Sequence, residues 1–97
     1  MASSRSSGLK SADSVIATGR NRINAITLIS DGTNACDVAV YDHPSAASGT
    51  VVGKVSIGAA SLKKTEHVVF ENPVLCEDGI YADVTGTGAN YIVYYGG

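Results

Sequence analysis

From Asp13 to Tyr95 the apolar residues recur at every second position in short runs, separated by Gly, Asn, Asp and Ser. Such alternation marks strands that bury one face. Ala35–Asp42 shows it most cleanly: Cys36, Val38 and Val40 point one way, Asp37, Ala39 and Tyr41 the other. Ile80–Thr85 repeats it, with Ile80, Ala82 and Val84 opposite Tyr81, Asp83 and Thr85. In Thr50–Ile57, Val51, Val55 and Ile57 share a face, and Gly53 falls where that face needs no side chain. Thr65–Glu71 turns Val68 and Phe70 inward and His67, Val69 and Glu71 outward. Asn72-Pro73 is expected to end that strand, because proline removes a ladder donor. Val74–Cys76 then reads as a short strand of its own. Ser14–Thr18, Ile23–Ser30 and Ala89–Tyr95 complete the set.

Between the runs lie turn residues: Asp31-Gly32-Thr33-Asn34, His43–Gly49, Glu77-Asp78-Gly79 and Gly86-Thr87-Gly88. Asp-Gly tolerates positive φ, and Asn bonds its own backbone. No helical period of ten residues interrupts the pattern. The prediction is an all-β fold, an antiparallel β-sandwich or jelly roll of about eight strands. Its core holds Val38, Val40, Val55, Ile57, Val68, Phe70, Ile80 and Val84.

Residues 1–12 do not share the alternation. They are rich in Ser and Gly, and Leu9 is the one large apolar residue after Met1. The expected organisation is a flexible N-terminal arm, 1–12, ahead of a single sandwich domain, 13–97. Charge divides along a similar line. In residues 1–22, Arg5, Lys10, Arg20 and Arg22 stand against Asp13, a net of +3. Beyond them three lysines face eight acids, a net of −5. A basic leader on an acidic body suits an arm lying on an acidic surface, and equally a solubilising tail. Extended, the arm reaches about 40 Å.

The 97 residues suffice for one domain. Net charge is −2, which argues against nucleic acid as a partner of the body. No apolar run approaches the roughly 20 residues of a membrane-spanning helix. The opening residues lack the apolar core of a secretory leader. Cys36 and Cys76 read as buried thiols in separate strands, or as a disulfide if both face one core. With His43 and His67 they have no metal-ligand spacing. Neither histidine sits in a nucleophile elbow, and Gly86-Thr87-Gly88 lacks the Lys-Ser or Lys-Thr of a phosphate loop. No catalytic residue, cofactor or metal site is therefore assigned.

The tyrosines carry more information. Alternation puts Tyr91 and Tyr95 on one face of the last strand and Tyr94 on the other, so both faces carry an aromatic. Tyrosine favours interfaces because its apolar ring ends in a polar tip. Only 16% of the residues are charged, against about 25% in a typical domain. A surface so sparing of charge suits burial against partners.

Val38-Ala39-Val40-Tyr41-Asp42, Ala47-Ser48-Gly49-Thr50-Val51-Val52-Gly53, Asn72-Pro73-Val74, the Asp78–Gly86 strand and Tyr91-Ile92-Val93-Tyr94-Tyr95 follow in order. The succession resembles small virion proteins of tailed bacteriophages. The resemblance implies a non-enzymatic structural protein, most often a capsid decoration (cement) protein on the phage head surface, assembled in the bacterial host cytoplasm. Its partners would be the major capsid protein and its own copies, as a homotrimer on a local three-fold site. The expected partner interface comprises Arg5, Leu9, Lys10, Tyr91, Tyr94 and Tyr95. The alternative is a tail- or fibre-associated sandwich module that binds a host surface or carbohydrate.

Overall fold

Alternating strands leave an apolar face that only a second sheet can cover, and two four-stranded sheets do so here. The computed structural model describes residues 4–60, 62 and 64–96. Its strands are β1 (Arg5–Ser6), β2 (Ser14–Thr18), β3 (Asn21–Ile29), β4 (Cys36–Asp42), β5 (Thr50–Ile57), β6 (Thr65–Cys76), β7 (Gly79–Thr85) and β8 (Asn90–Gly96). The first sheet runs β1-β8-β3-β6 and the second β2-β7-β4-β5, with every neighbour antiparallel. This is the strand order of an eight-stranded jelly roll. No helix forms among the described residues.

The inward faces meet in one core. Ile23, Ile26, Leu28, Tyr91 and Val93 of the first sheet are fully buried, as are Val38, Val40, Ile80 and Ala82 of the second. Burying one such aliphatic side chain stabilises the fold by roughly 1.5–3 kcal/mol. Val55 and Ile57 are also buried, and Val68, Phe70 and Val84 pack on the core's margin. Gly53 lies where the β5 and β6 edges close on each other. A Cβ there would stand 3.1 Å from both Ile26 Cδ1 and Phe70 Cζ.

Three local readings need correction. β6 does not end at Asn72-Pro73. Its pairing with β3 passes from Val69↔Ala25 to Val74↔Ile23, so β6 bows outward between Val69 and Val74 opposite Asn24. Pro73 falls in that unpaired stretch, where its missing N–H costs nothing. In β5 the register slips between Val40↔Gly53 and Tyr41↔Val51, leaving Val52 as the extra residue. Val52 turns to the core and Val51 is 51% exposed.

The third difference concerns the arm. Arg5 and Ser6 pair with Tyr95 and Tyr94 as β1, and Lys10 bridges Tyr91. Ser4–Ala12 thus runs along its own domain, and residues 1–3 lie outside the described part. The reason is the edge of β8, whose polar groups need partners and whose only free neighbour position is filled by this segment. The count of eight strands is kept because β1 is gained where β6 absorbs Val74–Cys76.

The Asp42 carboxylate ties the end of β4 to the β6–β7 turn by accepting the N–H groups of Glu77 (3.1 Å), Asp78 (2.9 Å) and Gly79 (3.4 Å). The Asp78 N–H is the main reason its carboxyl sits below the usual range; slight burial opposes this, and Glu77 and Gly79 add to it. Asp31 is lowered likewise by the N–H groups of Asn34 and Thr33. At the other end of β7, Gly86 has φ 115°. A Cβ there would collide with the backbone of Ala35 and Cys36.

Two outcomes follow. Ile57→Ala costs about 2–5 kcal/mol in denaturant unfolding, and Val51→Ala stays within about 0.5 kcal/mol; equal costs would contradict the bulge at Val52. A carboxyl whose folded pKa is depressed stabilises above its unfolded value, near pH 4, and that share is lost as pH falls through the folded pKa. Asp42→Asn therefore melts lower than the natural chain at pH 7 and loses less on acidification from pH 5 to 2. Parallel melting curves against pH would contradict the clamp.

Candidate functional site

The two outer faces differ in chemistry. On the first sheet, β3 pairs with β8 on one side and β6 on the other. Ile26 and Leu28 point inward, so beyond the charged Arg22 and Glu71, which also face outward toward one end, alternate positions form three outward rows: Tyr94-Ala25-Val69, Ile92-Thr27-His67 and Asn90-Ile29-Thr65. None of these nine residues is Asp, Glu, Lys or Arg. A shallow groove of about 400 Å³ opens on this face, lined by Ser4, Asn24, Ala25, His67, Val69 and Tyr94. Val69 is 65% exposed.

The groove's polar groups are held by neighbours. Thr27 Oγ1 and His67 Nδ1 share a 2.6 Å hydrogen bond. The His67 ring meets Tyr94 edge-on, with centroids 6.2 Å apart and planes at 78°. Asn24, the residue extruded by the β3 bulge, donates from Nδ2 to Ser4 Oγ at 2.7 Å. The result is a firm, neutral floor with one aromatic edge and several hydrogen-bonding tips. It suits contact with another neutral surface.

The second sheet carries charge outside. Its outward rows include Ser56-Asp37-Thr85 and Lys54-Ala39-Asp83. Burial raises the Asp83 carboxyl's pKa, and the carboxylates of Asp13 and Asp37 raise it further. Asp13 Oδ1 also accepts the Val84 N–H at 2.9 Å, so it fastens β7 rather than standing free. Among the described residues no group of three or more His, Cys, Asp or Glu could hold a metal ion.

The residues singled out from sequence do not converge on one surface. Tyr94 lies on the neutral face and Tyr95 packs inward on the core's margin. Tyr91 is fully buried, which removes it from any partner surface. Its hydroxyl donates to Ala12 O at 2.7 Å and lies 2.9 Å from Ser14 Oγ. Burial raises its pKa. Arg5 and Leu9 are exposed along the β8 edge, and Lys10 is half-buried there. Sequence alternation separated Tyr94 from Tyr91, as observed, but gave no means of knowing which parity faced the core.

His67 and Val69 were legible only as outward positions; they join Tyr94 because β3 brings β6 and β8 together. His43 Nδ1 accepts the N–H groups of Ser45 (3.1 Å) and Ala46 (3.0 Å), a loop-capping role. Cys36 and Cys76 are free, buried thiols. Burial raises both, Cys76 to about 11, which leaves little thiolate for chemistry.

Tyr91→Phe is expected to cost about 1–3 kcal/mol in denaturant unfolding, since it strips the bond from Ala12 O while preserving the ring. An unchanged midpoint would show that the hydroxyl contributes nothing to holding residues 12–14. No protein-family model, curated protein or solved structure matches this chain.

Proposed function

We propose that this chain is a non-enzymatic structural protein of a phage virion, a capsid decoration protein that binds the head surface in many copies and stabilises the shell. The major capsid protein is the partner, and three copies sit together on a local three-fold site. The observation that carries the reading is the set of three uncharged outward rows on the first sheet. Docking removes water from both surfaces, and a charge left unpaired in the contact costs several kcal/mol. Three rows without a charged side chain avoid that cost, and Tyr94 offers the kind of aromatic anchor that dominates interfaces. The second sheet, with Asp37, Asp83 and Lys54 outside, would remain toward water and keep the decorated particle from associating.

The fold supports the reading, since jelly rolls build capsids as well as lectins and enzymes. The sequence resemblance to tailed-phage virion proteins chooses among those uses. Symmetry does the rest: a shell presents many identical sites, and a small rigid domain can occupy each in the same way.

The test is co-sedimentation with phage heads assembled without this protein. Saturable binding of many copies per head is expected. Val69→Asp, which places a carboxylate on the β6 side of the face at an already exposed position, should weaken binding by about 100-fold. Lys54→Ala on the opposite sheet should change it by less than about twofold. Equal affinities for the two variants would contradict docking through the neutral face, and no binding by the natural chain would contradict the role itself.

A further inference from the structure

β1 differs from the other seven strands in what holds it. Each of β2 to β8 places at least one apolar side chain in the core or against it. None of the described residues Ser4–Ala12 is buried. Arg5 and Ser7 occupy the inward register opposite Tyr95 and Val93, where another strand would carry valine. What remains is hydrogen bonding. Ser7 N–H donates to Val93 O at 2.9 Å, and the Val93 N–H donates to Ser7 Oγ rather than to a backbone carbonyl. Ser4 Oγ accepts from Asn24.

The chain then bends at Gly8, φ 76°, beside Leu9, which is 63% exposed. Beyond the bend it is fastened again: Lys10 and Tyr91 exchange two backbone bonds of 2.9 Å, and Ala12 O takes the Tyr91 hydroxyl. β1 can therefore leave β8 without withdrawing any buried apolar side chain of its own, and the pivot is confined to Gly8 and Leu9. Its departure bares the N–H and C=O groups of β8 over Val93–Tyr95, a template for another extended segment.

We propose that copies of this chain exchange β1: Ser4–Ser7 of one copy pairs with β8 of its neighbour, pivoting at Gly8. A second copy is the fitting occupant because its Ser4–Ser7 carries the same groups the edge already binds, so each hydrogen bond lost within a chain is remade between chains. The short pivot favours the exchanged form. Gly8 and Leu9 span at most about 11 Å when extended, which sets the two β8 edges side by side and brings the exposed Leu9 side chains to the crossing. The segment carries Arg5 and no acid, so it suits the net −5 body of a second copy as it suits its own. The inference goes beyond the virion reading and needs no shell.

The experiment uses purified full-length protein. Ser6 and Tyr94 stand directly opposite one register step from the hydrogen-bonded Ser7–Val93 position, so they form the close, non-hydrogen-bonded kind of pair suited to a disulfide. Ser6→Cys chains bearing a size tag are mixed with untagged Tyr94→Cys chains, oxidised and run without reductant. The expected product is a disulfide between a tagged and an untagged chain, and the natural chain, with its two buried thiols, gives none. Gly8→Ala is built into both partners in a second mixture. A Cβ at Gly8 meets nothing within 4 Å, so the substitution acts only by penalising the positive φ of the closed form. It should bring half-maximal cross-linking at a roughly tenfold lower concentration. Gly19→Ala, at φ 75° and equally open but in the β2–β3 turn, is the control and should leave the yield unchanged. No mixed disulfide, with the double variant Ser6→Cys/Tyr94→Cys closing only within one chain, would overturn the proposal. Equal yields from Gly8→Ala and Gly19→Ala would overturn the pivot.

Discussion

The structure depends on β3 being hydrogen-bonded along both edges. It pairs with β6 on one side and β8 on the other, and its inward side chains Ile23, Ile26 and Leu28 are all fully buried. Only β4 and β5 are joined as neighbours in both sequence and space. Every other ladder brings together distant parts of the chain. Such pairings must close long loops before burial rewards them, which makes folding slow and cooperative. The bulge at Asn24 is the one irregularity in β3. It shifts Ala25, Tyr94 and Val69 into a common outward row and points Asn24 at Ser4, so one inserted residue shapes the groove.

Much of the fold could be read from alternation alone. β4 and β7 keep their period of two from end to end because neither contains a bulge, and their inward residues are those expected. The sequence misled where tertiary pairing changed the count of residues on one strand. Val51 and Val52 are both valine, so nothing in their chemistry told which would turn inward; the slip opposite Tyr41 decided it. Pro73 looked like a terminator because the bowing of β6 opposite Asn24, which leaves no donor needed there, is a property of two strands rather than one. β1 was invisible for a different reason. A strand pinned by backbone bonds, with Arg5 and Ser7 turned inward, leaves no hydrophobic signature to find.

The candidate surface was legible only in part. Alternation set Tyr94 on the face opposite Tyr91 and Tyr95, without showing which face met the core. His67 and Val69 read as outward positions in another strand, yet their adjacency to Tyr94 requires knowing that β3 lies between them. Tyr91 drew notice for its chemistry and proved to be a core residue, held by Ala12 O and Ser14 Oγ at the point where the first sheet hands the chain to the second. Low overall charge was the clearest early hint, and its meaning is spatial: the first sheet's three central outward rows carry no charge, Arg22 and Glu71 lie toward one end of that face, and Asp37, Lys54 and Asp83 face outward on the second sheet.

The proposed role makes a geometric demand on the particle. If the neutral face is what the shell holds, the outward rows of β8, β3 and β6 must lie against capsid protein, and Asp37, Asp83 and Lys54 must look toward solvent. A cryo-electron-microscopy reconstruction of heads decorated with this protein measures that orientation directly. The account predicts Tyr94, Val69 and His67 in contact with the shell at every occupied site. A reconstruction with the second sheet against the shell and the first facing water would contradict it.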